Sequence, residues 1–261
     1  MQQLTIVKIG GKVIDQPEAL NDFLDAFVGL PGKIMLVHGG GNMATQLAPQ
    51  LGIEPQMVEG RRVTDAETLK LVTMVYAGLV NKNLVAALQA KGLDAIGLCG
   101  SDLNLIQAKK RQHASIDFGF VGDVLKVNSL ELSKLVDSNK VVVVAPLTHD
   151  GKGQLLNTNA DTIATELAIA MSPFYKVKLM YSFEKGGVLL DSENDESVLS
   201  ILDKERYNLL KSTGIISQGM LPKTHNAFHA VDSGVQEVVI GNLLQMQSGG
   251  SMGTQIVEQV Q

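Results

Sequence analysis

Two stretches decide the fold: Leu4-Thr5-Ile6-Val7-Lys8-Ile9-Gly10-Gly11-Lys12 and Lys33-Ile34-Met35-Leu36-Val37-His38-Gly39-Gly40-Gly41-Asn42. Each is an apolar strand closed by a glycine-rich turn and followed by a helical pattern. A nearly unbroken apolar run is what a strand buried on both faces of a parallel sheet requires. Glycine lets the backbone approach a ligand closely and present bare N–H groups. A helix N-terminus beyond the turn adds positive potential, which suits phosphates and carboxylates. Lys8 sits inside the first strand, and a charge among Ile6, Val7 and Ile9 is costly to bury unless an anion meets it. The chain is therefore expected to hold something strongly negative.

The same rhythm continues outward from these turns. Further strands are expected at Asp94–Leu98, Val141–Ala145, Val177–Tyr181 and Val235–Ile240. Helices are expected at Pro17–Val28, Asn42–Leu51, Asp65–Lys91, Ser129–Ser138, Ala160–Met171, Lys204–Ser212 and Lys223–Asp232. Thr64-Asp65-Ala66-Glu67 has capping-box spacing at the start of the longest helix, and Gly92 is placed to end it. The alternation implies an α/β fold, a mainly parallel sheet covered by helices on both faces. Ile106–Lys109 and Val121–Val127 break the rhythm and read as a β-hairpin, suited to a lid or rim. Leu190–Ser197 is an acidic loop. A domain boundary is expected near Ser172-Pro173, giving domains 1–172 and 173–261.

Composition narrows the classes. The chain has 261 residues, 45% hydrophobic and 19% charged, with net charge −5. That balance offers no footprint for nucleic acid. The single cysteine, Cys99, allows no intrachain disulfide and suits a reducing cytoplasm. No membrane partner and no apolar run of membrane-spanning length is expected. Only Met1-Gln2-Gln3 precede the first strand, so no signal peptide is expected.

The chemistry-bearing residues lie in four places. Neither glycine turn fits a P-loop or the dinucleotide fingerprint. Lys8 beside the Gly10 and Gly11 amides suits the charge that builds up during phosphoryl transfer. Asn157-Thr158-Asn159-Ala160-Asp161 places two amides and a carboxylate at a helix start; a plain reading is that Asn159 caps the helix. Gly214 to Lys223 is a turn entering a helix with Pro222 and Lys223 in its first turn, where a lysine opposes the dipole unless an anion is present. His225 and His229 are spaced i, i+4, but no third ligand is evident and no metal site is expected. His38 reads as structural or near the substrate, and Cys99 as a small core residue.

Lys8-Ile9-Gly10-Gly11, His38-Gly39-Gly40-Gly41, Gly60-Arg61-Arg62-Val63-Thr64, Gly119-Phe120-Val121-Gly122, Asn157-Thr158-Asn159-Ala160-Asp161 and Gly219-Met220-Leu221-Pro222-Lys223 occur in the order seen in the amino acid kinase family. Over nearly its whole length the chain resembles that family, and most of all its members that phosphorylate an N-acylated glutamate. The resemblance implies a three-layer αβα sandwich with an open sheet. It implies an N-terminal domain for the acyl amino acid and dimerisation, and a C-terminal domain for ATP. Lys8 and Lys223 would stabilise the transferring phosphoryl group, with Asp161 organising them. Gly40, Gly41, Arg62, Asn157 and Asn159 would bind the acylglutamate, Arg62 taking its α-carboxylate. Gly10, Gly11, Ser182, Phe183, Gly187, Ile216 and Ser217 would contact the nucleotide. Mg²⁺ would arrive with ATP.

Relatives usually carry Ser/Thr-Asp-Val before a glycine at the nucleotide segment, whereas this chain has Tyr181-Ser182-Phe183-Glu184-Lys185-Gly186-Gly187. The expected activity is phosphorylation of the γ-carboxylate of N-acetyl-L-glutamate in arginine biosynthesis. N-succinylglutamate, the carbamate, aspartate and uridylate kinase reactions, and a non-catalytic ligand sensor remain as alternatives. The short segment ahead of Leu4 implies a homodimer that arginine does not inhibit. Its interface is expected on the helix Asp65–Lys91, through the apolar surplus of Leu69, Val72, Val75, Tyr76, Leu79 and Val80.

Overall fold

The computed structural model describes residues 1–58, 61–216, 220–250 and 252–259, with only the backbone of Arg61. The chain forms two compact units, one made of Met1–Ile34 with Ala164–Gln261 and one of Met35–Ile163. Each has parallel strands flanked by helices, the α/β class expected, and the second adds a smaller, mainly antiparallel sheet.

In the first unit the strand Gln3–Ile9 runs parallel to Lys176–Ser182, with Lys8 opposite Tyr181 and Ile9 opposite Ser182. Lys176–Ser182 runs parallel to Glu237–Gly241, which pairs antiparallel with Thr254–Ile256; Ile201–Leu202 lies parallel beside that strand. Leu4, Ile6, Val7 and Ile9 are all sealed from solvent, which explains why the first strand shows no polar alternation. The helix Pro17–Val28 starts with proline in its first turn and buries Phe23, Leu24, Ala26 and Phe27. Parallel pairing brings Gly10 and Ser182 to the same, carboxyl, edge of the strands. That edge is where open α/β sheets place their ligands.

In the second unit Lys33–His38 and Ala95–Leu98 run parallel on either side of Val141–Val144, whose four valines are buried. A smaller sheet runs in the order Leu155–Asn157, Leu147–His149, Ile106–Lys110, Gly122–Val127. Its last pair is the expected antiparallel hairpin, with a register shift between Gln107 and Ala108. Leu147–His149 and Leu155–Asn157 are three residues each, too short for an alternation to show in the sequence.

The longest helix differs from its expected form. It comprises α-helix Ala66–Val72, π-helix Thr73–Val80 and α-helix Asn81–Ala90. Its N-cap is Asp65, not Thr64: the Asp65 carboxylate accepts the Thr68 N–H at 2.7 Å. Gly92 does end it, at φ +84°. The span Ala66–Ala90 is long and apolar enough, by length and composition, to cross a membrane, contrary to the expectation that no run reaches that length. Its Leu71, Val72, Val75, Tyr76, Val80, Leu84 and Leu88 are buried within the second unit, so its apolarity is that of a core helix. The apolar surplus expected along this helix is likewise mostly core. Of the six residues invoked, Leu69, Val72, Val75, Tyr76 and Val80 are core, and Leu79 alone is exposed, alongside Met74.

Candidate active site

The first unit carries the lysine-bearing turn. Lys8 is only 7% exposed within its strand. Gly10 donates its N–H to the Ser182 carbonyl at 2.9 Å, which pins the glycine turn to the end of the strand Lys176–Ser182. A Cβ at Gly10 would meet that carbonyl at 3.3 Å and the Phe183 Cβ at 3.4 Å, so glycine suits this close approach. Ser182 is buried, and its hydroxyl accepts the Leu243 N–H at 3.3 Å. Phe183 is buried too, its N–H bound to the Gly241 carbonyl at 3.1 Å. The residue after it, Glu184, faces the turn: Lys12 Nζ donates to its carboxylate at 2.7 Å. Burial pushes the Glu184 carboxyl up, but the Lys12 hydrogen bond and the charges of Lys12 and Lys223 bring it net below its ordinary value. Lys223 lies in the first turn of Leu221–Asp232, behind Pro222. Lys12 and Glu184 are the charged pair that motif reading passed over; the lysine immediately after Gly10-Gly11 was the available signal.

Other expected nucleotide contacts have evident packing roles. A Cβ at Gly187 would meet Thr254 Oγ1 and Val198 Cγ1, both at 2.7 Å. Ile216 is buried. Ser217 lies outside the described residues, as do Gly60 and Gly219 of the quoted motifs.

The second unit carries the other turn. His38 is fully buried; its Nδ1 donates to the Gly39 carbonyl at 2.7 Å and its Nε2 accepts from Asn81 Nδ2 at 3.1 Å. Asn81 also donates to the Val143 carbonyl at 3.0 Å. Burial, aided by the Lys82 charge and opposed by the Gly39 carbonyl, lowers the imidazole to about 4. A neutral imidazole in fixed orientation is a brace for the Gly39-Gly40-Gly41 turn, as the structural reading of His38 expected.

Arg62, 8% exposed, reaches this turn from the short strand Arg61–Arg62. Its Nη2 donates to the Gly41 carbonyl at 3.0 Å and to Thr45 Oγ1 at 2.7 Å. Its Nη1 is buried with no hydrogen-bond partner. A planar guanidinium with a donor left over is suited to a carboxylate. Gly40 is glycine because a Cβ there would lie 2.7 Å from the Tyr76 ring.

Asn157 and the hairpin meet on Thr64. Asn157 Nδ2 donates to Thr64 Oγ1 at 3.0 Å, and Thr64 is fully buried. The Thr64 N–H donates to the Phe118 carbonyl at 3.0 Å, and Phe120 N–H to the Thr64 carbonyl at 2.6 Å. Gly119, at φ +70°, passes so close that a Cβ would lie 2.2 Å from the Thr64 carbonyl oxygen. This explains the Gly119-Phe120-Val121-Gly122 motif: it clamps the hairpin to the segment carrying Arg62. Asn159 caps the next helix, its Oδ1 accepting the Asp161 N–H at 2.9 Å and the Thr162 N–H at 3.1 Å. The buried Asp161 stands in that helix's first turn. Within this unit the structure thus brings Gly40, Gly41 and Arg62 together, and sets Asn157 beside Thr64, two residues beyond Arg62.

The chain is similar to known proteins. A 55% identical relative from Phocaeicola vulgatus, named acetylglutamate kinase, aligns over 239 residues, covering 92% of this chain and 93% of its own. A like-named protein from Parabacteroides distasonis is 52% identical over 249 residues, covering 95% and 98%. One from Methanopyrus kandleri is 40% identical over 250 residues, covering 94% and 98%. Among solved structures, the Streptococcus mutans protein smu.665 superposes with TM-score 0.79 at 26% identity, covering 98% of this chain and 99% of its own. A Giardia lamblia carbamate kinase does so at 0.68 and 13% identity, each chain covered to 99%, which speaks for the fold alone. The family model for the amino acid kinase family matches residues 3–242, and with the turns, the buried lysine and the guanidinium in place, the chain belongs to that family.

Proposed function

We propose that this chain transfers the γ-phosphoryl group of ATP to the γ-carboxylate of N-acetyl-L-glutamate, a step of arginine biosynthesis. The observation that carries the reading is the buried Arg62 guanidinium with Nη1 unpartnered beside Gly41, in a chain 55% identical to a relative named acetylglutamate kinase. A buried donor of that kind asks for an anion, and an acylated amino acid supplies a carboxylate.

The nucleophile needs no general base, because a γ-carboxylate is ionised at neutral pH. One of its oxygens attacks the γ-phosphorus in line, and the bond to the ADP oxygen breaks. The protein's part is positioning and charge. Lys8 and Lys223 would meet the oxygens of the transferring group, the Gly10 and Gly11 turn would lie along the phosphates, and Asp161 would balance the two lysines. Gly40, Gly41, Asn157 and Asn159 would complete the acylglutamate contacts around Arg62. On the nucleotide side, Ser182, Phe183, Gly187, Ile216 and Ser217 form the proposed surround. Among the described residues no three metal-capable side chains converge. Mg²⁺ would therefore enter on the triphosphate, with oxygen ligands from phosphate and water.

We place the protein in the cytoplasm, where ATP is available and the one buried cysteine stays reduced. A homodimer is supported by the exposed Met74 and Leu79 on either side of the exposed Gly78, an apolar strip on the outer face of the longest helix. Steady-state ADP release with N-acetylglutamate, N-succinylglutamate, aspartate and carbamate, side by side, tests the reading. N-acetylglutamate should give the highest kcat/KM; a higher value for any of the others would replace the substrate assignment.

A further inference from the structure

Arg62 is anchored through one nitrogen. Nη2 is held by the Gly41 carbonyl and Thr45 Oγ1, and the Thr45 hydroxyl itself donates to the Gly41 carbonyl at 2.8 Å. Nη1 is buried and unsatisfied. A buried donor on a charged group is expensive to leave unmatched, so the aim of Nη1 has to be held toward a partner.

Tyr76 is the neighbour placed to do this. It is 5% exposed, and its ring fills the space a Gly40 Cβ would take. Its hydroxyl lies 4.0 Å from the Cβ position of Gly41, the residue whose carbonyl binds Arg62. Burial raises the phenol above its ordinary value, and the Arg62 charge, with a polar contact, pulls part of that rise back. Tyr76 is presented by the π-helical segment Thr73–Val80, a form that is rare and concentrates at functional sites. Packing alone would be served as well by phenylalanine. A buried hydroxyl beside the Gly41 backbone that binds Arg62 is the part of Tyr76 that packing does not explain.

We propose that Tyr76, together with Thr45, is a positioning residue that fixes the plane of the Arg62 guanidinium so that Nη1 faces a carboxylate of the substrate. The proposal rests on the acylglutamate reading and adds to it which groups set affinity for the acyl amino acid. Tyr76 touches neither the phosphoryl group nor the nucleotide in this account, so its effect belongs to binding of one substrate.

Calorimetric titration of N-acetyl-L-glutamate into the wild-type protein, Tyr76→Phe and Thr45→Val, with steady-state kinetics on the same preparations, is the test. Each substitution should raise Kd and KM for N-acetylglutamate about tenfold, the scale of one hydrogen bond to a charged group. The kcat and the KM for ATP should stay within about twofold. With the α-carboxamide analogue of N-acetylglutamate the loss should vanish, because no carboxylate remains for Nη1 to meet. Wild-type affinity in both folded variants would overturn the proposal and leave the kinase reading standing. Absence of N-acetylglutamate binding by the wild-type protein would overturn both. A purely structural role for Tyr76 would lower the melting temperature of Tyr76→Phe and leave the affinity unchanged, which also contradicts the proposal.

Discussion

Lys8 carries its charge on a strand where Ile6, Val7 and Ile9 are sealed from solvent, and that placement makes sense if the charge has a task. In the proposed reaction its ammonium matters most while the phosphoryl group is between oxygens. Lys8→Met should therefore lower kcat by about 10²–10³, roughly 2.7–4 kcal/mol, with smaller changes in either KM. Near-normal turnover would reduce Lys8 to a buried strand lysine. Arg62→Lys should chiefly weaken acylglutamate binding, because one ammonium cannot hold the Gly41 and Thr45 contacts and also present a second, separately aimed nitrogen to a carboxylate. An unchanged KM for the acyl amino acid would remove Arg62 from the site. His38 gives a prediction about stability. Its folded-state value, about 4, is below the 6.5 of the free imidazole. The unfolded chain thus binds the proton more readily, and the stability held by neutral His38 is present above pH 6.5 and drains as pH falls to about 4. That difference corresponds to roughly 3 kcal/mol. Urea unfolding of wild type and His38→Gln from pH 7 to pH 4 should show the gap between them closing by that order; a constant gap would contradict it.

Among the elements, the hairpin clamp is the most exposed to a single change. Gly119 combines a left-handed backbone with a 2.2 Å approach of its Cβ position to the Thr64 carbonyl. Gly119→Ala should cost at least about 1–2 kcal/mol from the backbone alone, with the steric conflict added. It should also raise the KM for the acyl substrate, since Thr64 holds Asn157. Wild-type stability and KM would show that the clamp is dispensable. Much at this scale was legible beforehand. Pro17–Val28, Ala160–Met171 and Lys204–Ser212 were expected as helices between the apolar strands, and the structure has the same bounds. What the sequence concealed depends on contacts distant in the chain. Nothing local to Asn157 signals Thr64, and nothing local to Gly40 signals the Tyr76 ring. The cap at Asp65 rather than Thr64 follows from the same cause: Thr64 is committed to the hairpin and Asn157, leaving the next carboxylate to cap. The π-helical segment lay hidden because an apolar helix keeps its composition whatever its pitch.

For the whole molecule, the family was legible from six short motifs in order, while the roles of individual residues rest on chemistry that side-chain geometry only partly displays. The apolar character of Asp65–Lys91 was visible, but its cause was misjudged, since most of that surface is core. What remains outside is Met74 and Leu79, and a dimer built there should dissociate when Leu79→Glu and Met74→Glu are combined. Light scattering of the double variant should give the mass of one chain where the wild type gives two; a wild-type monomer would contradict the assembly. The central claim is that ATP phosphorylates the γ-carboxylate of N-acetylglutamate. Trapping the product with hydroxylamine and locating the hydroxamate by mass spectrometry tests it most directly. The account predicts N-acetylglutamate γ-hydroxamate, formed only when ATP and the acyl amino acid are both present. ATP turnover without any hydroxamate, or a hydroxamate on the α-carboxyl group, would contradict it.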